Sequence, residues 1–133
     1  MNDCVFCQII KGEIPSFKVY EDNSFLGFLD IKPLNPGNAL LVPKTHYRWV
    51  TDIPNFGDCW EKAKLIALAS QKIVKSDYTT FVTFGTDVPH AHIRIVPRFY
   101  TDHHHEGINA RDTLSLPPQE MARIASEMLS LIK

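Results

Sequence analysis

The stretch Val88–Arg98 reads VPHAHIRIVPR and sets His90, His92 and Arg94 at alternate positions. On an extended strand successive side chains point to opposite faces, so these three share one face while Ala91, Ile93 and Ile95 share the other. Such a polar row is costly to bury without partners. It therefore predicts a solvated edge strand, or a strand that meets a metal or an anionic ligand. A neutral imidazole whose second nitrogen is held by a hydrogen bond is a good nucleophile toward phosphorus, and an adjacent guanidinium can stabilise charge on phosphoryl oxygens. Just upstream, FGTDVP turns through Gly85, where backbone amides and the Thr86 hydroxyl could cradle a phosphate, although a plain turn glycine would look the same.

Cysteine usage adds a second kind of chemistry. Of the three cysteines, Cys4 and Cys7 form a C-x-x-C pair. In a reducing compartment that spacing suggests metal binding or redox chemistry rather than a structural disulfide. Cys59 lies inside a helical pattern and reads as a small buried apolar residue. The internal run His103–His105 reads as a solvated loop rather than a second metal site.

These side chains need a scaffold, and 133 residues suit one domain, 1–133, with its own core. Lys and Arg number 14 against 15 Asp and Glu, so neither a nucleic-acid footprint nor an acidic tail is expected. The opening MNDCVFCQIIKGEIP lacks a basic start followed by an apolar run, and no segment approaches membrane-spanning length; a cytoplasmic protein without a membrane partner is the expectation.

Along the chain, FCQII reads as a short helix or turn. FKVYED and SFLGFLDI read as strands joined by a hairpin at Asp22 and Asn23. Ala39–Val42 is a third apolar run between a Pro/Gly turn and a proline. From about Asp58 to Lys75 the pattern is helical, with Cys59, Ala63, Ile66 and Ile73 on one stripe and Asp58 or Asp52 as its cap. TTFVTF and AHIRIV read as two more strands. Ser115 and Pro117-Pro118 open a last helix whose apolar face is Met121, Ile124, Ala125, Met128 and Ile132. The short strand links predict an α+β fold: an antiparallel five-stranded sheet with packed helices, the last at the C-terminus.

The segment HAHIRIVPR resembles the histidine-triad motif of the HIT superfamily, with Arg94 where the third histidine usually stands. CVFCQIIKGEIPSFKVYED and FLDIKPLNPGNALLVPKTH resemble the opening and middle blocks of its Hint-like, bacterial-type branch, so the likeness runs in order from Cys4 to Arg98. It implies a nucleotide hydrolase or transferase that cleaves a nucleoside 5'-phosphoramidate or related nucleotide at the α-phosphate. His92 would carry the nucleotidyl-histidine intermediate, with His90 and Arg94 beside it. Asp30 would accept the ribose hydroxyls, and Val5, Phe6, Ile9, Phe28 and Ile31 would wall the base slot, with Gly85 and Thr86 at the phosphate. Cys4, Cys7, His46 and His90 would hold a structural zinc, and a homodimer is implied. Two rival expectations are a nucleotide-binding regulatory protein in which Arg94 has ended turnover, and a zinc-structured interaction module that binds no nucleotide.

Overall fold

A computed structural model describes residues 4–105 and 107–132 of the chain. Its elements are α1 (Val5–Ile10), β1 (Lys18–Glu21), β2 (Phe25–Leu29), β3 (Ala39–Pro43), a 3-10 turn (Val50–Asp52), α2 (Phe56–Val74), β4 (Tyr78–Val82), β5 (Ile93–Arg98) and α3 (Pro118–Ile132). The five strands form one sheet in the order β1-β2-β3-β5-β4, with every neighbouring pair antiparallel. This is the α+β architecture that the sequence pattern predicts, the C-terminal helix included.

Alternation within the strands decides what each face of the sheet buries. Phe25, Leu29, Ala39, Leu41, Ile93 and Ile95 meet Cys59, Ala63 and Ile66 of α2 and Met121, Ile124 and Met128 of α3 in one core. On the other face Leu26, Phe28, Leu40 and Val42 meet Phe6 and Ile9 of α1. Covered on both sides, β2 and β3 are buried along their whole lengths. Gly27 allows the close seat of α2, because a Cβ there would lie 2.8 Å from Ile66 Cδ1. The β1–β2 turn is closed by Asp22, whose carboxylate accepts the amides of Ser24 and Phe25 at 2.7 Å each, as short acidic side chains do in Asx turns.

Element ends depart from the sequence expectations. Neither Asp58 nor Asp52 caps α2: its N-cap is Asn55 without a side-chain bond, Asp58 pairs with Lys62 at 3.4 Å in the first turn, and Asp52 accepts the Trp49 amide in the preceding 3-10 turn. β4 stops at Val82 and β5 starts at Ile93, so His90 and His92 precede the strand rather than lie in it. There the backbone bonds elsewhere, the Ala91 amide donating to the Tyr47 carbonyl at 2.7 Å. The alternation still holds, since Ala91 enters the α2/α3 core with Ile93 and Ile95.

The run His103–His105 is not a plain solvated loop. His104 is buried, its Nε2 lies 3.1 Å from the Leu34 carbonyl and its Nδ1 accepts the Asn109 amide. Beside it Arg98 and Asp102, both buried, pair at 2.8 Å, and Asn35 donates to Asp102 and to the Pro97 carbonyl. Burial alone would raise the Asp102 carboxyl, but Arg98, Asn35 and the amides of Phe99 and His104 outweigh it and hold the group far below its ordinary range. These bonds fasten the segment after β5 to the turn before β3.

Candidate active site and metal cluster

Cys4 and Cys7 sit at the start of α1, where the Cys4 sulfur accepts the Cys7 amide as an N-cap. His46 follows β3, and His90 lies in the bend before β5. His90 Nε2 is 2.9 Å from the Pro43 carbonyl; a carbonyl only accepts, so Nε2 carries the proton and Nδ1 the lone pair. That lone pair faces Cys4 Sγ at 3.4 Å, Cys7 Sγ at 3.5 Å and His46 Nδ1 at 3.0 Å. Cys7 Sγ and His46 Nδ1 are 3.3 Å apart, and all four donor atoms lie within 4.8 Å of one another. Ligands at roughly 2.0–2.3 Å around a tetrahedral zinc stand roughly 3.3–3.8 Å apart. Three of the donor pairs, at 3.3–3.5 Å, match that spacing, and the set could hold a metal. Burial and the adjacent Cys4 raise the Cys7 thiol above its usual range, so metal uptake would displace protons from this cluster.

His92, two residues on, is also buried. Its Nδ1 lies 2.7 Å from the His90 carbonyl, which fixes the proton on Nδ1 and leaves Nε2 as a free base and nucleophile. Burial lowers the affinity of the ring for a second proton, and Arg94 lowers it further against the His90 carbonyl, Asp30 and Asp87. Arg94, on β5, carries a buried Nη1 with no hydrogen-bond partner among the described residues. A buried guanidinium nitrogen left unpaired is rare in a folded chain and points to a missing acceptor.

A groove runs past these groups. One part is lined by Val5, Phe6, Ile9, Phe28, Asp30 and Ile31 among others. The adjoining part is lined by Phe84, Gly85, Asp87, Val88, His92, Arg94 and Ala110, and Phe6 and Leu40 belong to both. The Phe6 ring meets Phe28 edge-on at 5.7 Å and His92 at 5.1 Å. At the end of β2, Asp30 accepts the Lys32 amide at 2.9 Å. Desolvation raises its carboxyl above the usual range, while that amide, Arg94 and His92 pull in the opposite direction.

Every apolar slot residue expected from the sequence thus borders one groove with Asp30, and Gly85, His92 and Arg94 border its continuation. Thr86 is exposed and does not line it. Gly85 has φ +73°, its carbonyl accepts Arg48 Nη1 at 2.7 Å, and a Cβ would come within 3.0 Å of the Trp49 ring. Among the residues lining the pocket around His92, sequence reasoning missed Leu40, Phe84, Asp87, Val88 and Ala110. Asp87 stands inside the FGTDVP turn, three residues before His90, and that nearness was the signal available.

Comparison with known proteins places these features in a wider set. Residues 11–101 match the family model described as HIT domain. The chain is 34% identical to the adenylylsulfatase HINT3 of Arabidopsis thaliana, over 99% of this chain and 68% of that protein. It is 29% identical to the adenosine 5'-monophosphoramidase hnt1 of Schizosaccharomyces pombe, covering 98% of each. Its structure superposes with TM-score 0.79 on a Zn-bound histidine triad family protein from Mycobacterium smegmatis, at 27% identity, covering 98% of this chain and 94% of that one.

Proposed function

The chain belongs to the HIT family, and on that premise we propose that it is a hydrolase of nucleotides substituted at the 5'-phosphate, with a nucleoside 5'-phosphoramidate as the substrate class. The observation that carries this reading is the 2.7 Å bond from His92 Nδ1 to the His90 carbonyl. It leaves Nε2 unprotonated in a groove that also holds Arg94 and Asp30. Relatives bearing adenylylsulfatase and monophosphoramidase names support the same class.

In this reading the base lies in the slot walled by Val5, Phe6, Ile9, Phe28 and Ile31, and the Asp30 carboxylate accepts both ribose hydroxyls. The unpaired Arg94 Nη1 donates to a phosphoryl oxygen. His92 Nε2 attacks phosphorus as the P–N bond breaks, and the amine departs with its electron pair. Arginine holds its proton at neutral pH, so it stabilises charge while the amine takes its proton from water in the groove. A second water then adds to phosphorus, the P–Nε2 bond breaks, one proton is lost to solvent, and the nucleoside monophosphate is released. Net, one water is consumed for each amine and monophosphate formed.

Cys4, Cys7, His46 and His90 would hold a zinc ion whose contribution is structural, since four protein ligands leave no open position for a reacting water. The ligands tie α1 to the bend that contains the His90 carbonyl, and so to the tautomer of His92. Free thiols at Cys4, Cys7 and Cys59 fit a reducing compartment, the cytoplasm. Among the described residues no helix is long and apolar enough to cross a membrane. A homodimer formed on the β4 edge, beside the exposed Phe81, would cover an open strand and its apolar neighbour.

A second reading, nucleotide binding without turnover, is favoured by Arg94 in place of a residue able to shuttle protons. Release of monophosphate from adenosine and guanosine phosphoramidates, by the wild type and by His92→Ala, separates the two. Turnover that requires His92 supports the hydrolase; bound nucleotide with no turnover supports the regulatory protein.

A further inference from the structure

The groove does not end at His92 and Arg94. Phe84, Val88, Ala110 and Asp87 extend the wall of the pocket that His92 and Arg94 line. If the base occupies the slot beside Phe28 and the phosphorus lies at His92 and Arg94, the group bonded to phosphorus is placed next to these residues. This placement rests on the nucleotide reading above. Two features of the extension are chemically selective. Phe84 is 55% exposed, an aromatic face presented at the mouth. Asp87 is exposed as well and takes part in none of the ion pairs found among the described residues. Arg48, which reaches the turn from the segment after β3, is already committed: it donates to the Gly85 carbonyl at 2.7 Å and lies over the Trp49 ring at 3.7 Å.

A carboxylate beside a phosphate site is unfavourable for the phosphate itself, so its presence calls for a compensating charge. Arg94 offsets the phosphoryl oxygens. Among the described residues Asp87 has no ion-pair partner of its own. An unpaired acid with an aromatic face and apolar neighbours suits a cation carried on an apolar stem, through Coulomb attraction and cation–π contact. We propose that Asp87, with Phe84, selects the leaving group: the substrates this site prefers are phosphoramidates whose amine bears a second, positively charged group on an aliphatic chain. The same carboxylate disfavours anionic leaving groups, which separates this site from one shaped for an adenylyl sulfate.

The test uses three adenosine 5'-phosphoramidates of matched length, made with 5-aminopentylamine, with hexylamine and with 6-aminohexanoate. The full-length wild type should show kcat/KM about three- to fivefold higher for the aminopentyl compound than for the hexyl one, the size of an exposed charge contact. The 6-aminohexanoate compound should be the poorest. In Asp87→Asn the aminopentyl/hexyl ratio should fall toward one, and in Asp87→Lys the order of the cationic and anionic compounds should reverse. The wild-type preference should also shrink as salt is raised. A ratio that survives in both variants would overturn the assignment, as would a wild type indifferent to leaving-group charge. Binding of the same intact compounds to His92→Ala, read by calorimetry with AMP as control, gives the ratio even where turnover is absent. If AMP binds but nothing is hydrolysed, hydrolysis is wrong while charge selection is still decided by these affinities. If neither AMP nor any of the three compounds binds, both readings fall.

Discussion

The His90 side chain and the His92 side chain are coupled through one carbonyl: His90 turns its Nδ1 toward Cys4, Cys7 and His46, and its backbone oxygen accepts the Nδ1 proton of His92 at 2.7 Å. The candidate metal cluster and the proposed nucleophile therefore share a residue without sharing a side-chain atom. His92→Ala is predicted to bring phosphoramidate turnover to background while nucleotide affinity and the thermal transition stay near those of the wild type. Hydrolysis undiminished in the variant would refute a covalent role for His92.

The metal cluster makes a separate prediction. Cys4→Ser should lower zinc content, measured by plasma emission on purified protein, and lower Tm, because α1 would lose its tie to His46 and His90. Turnover should fall with occupancy and return on adding zinc to chelated wild type. A wild type purified without any bound metal that keeps its Tm would remove the premise.

Arg94 is predicted to act on affinity and rate in different ways. Arg94→Ala should weaken AMP binding by about tenfold or more, the value of a hydrogen bond to a charged group. Arg94→His should raise kcat if proton delivery to the departing amine limits the rate. A fall in kcat for the histidine variant would mean that charge on the phosphoryl oxygens, not proton delivery, sets the pace.

The Arg98–Asp102 pair predicts an acid dependence of stability. Asp102 is held below its ordinary range in the folded chain, so its contribution is complete at neutral pH, above the unfolded-state value of about 3.9. It is lost as pH falls through the lower folded value. Removing one partner of a buried ion pair costs about 3–5 kcal/mol, so Asp102→Asn should be strongly destabilised in urea at pH 7. The gap from wild type should narrow toward pH 2.5. A gap independent of pH would show that Asp102 acts by shape and not by charge.

What the sequence made legible follows from the range over which each signal acts. The five strands and two long helices could be read because periodicity is local: FLGFL and the Met121–Met128 face state their burial within a few residues. The groove was legible only where a motif named its members. His104 was misread because three consecutive histidines look solvated, and the carbonyl that holds the middle one belongs to Leu34, 70 positions away. The caps of α2 failed for a related reason: Asp58 and Asp52 both have cap chemistry, but their places in the fold gave each a different partner. Asp87 went unmarked because one acid in a turn carries no period and no spacing.

Phe6 belongs to both parts of the groove and touches Phe28 on one side and His92 on the other. In the proposed complex a single rigid ring would therefore serve as a gauge for nucleotide length. A base stacked too shallowly or a sugar extended by one bond would leave phosphorus short of, or past, Nε2. Errors at the base would then register as lost rate rather than lost affinity, and the ring that walls the slot would also enforce which molecules react.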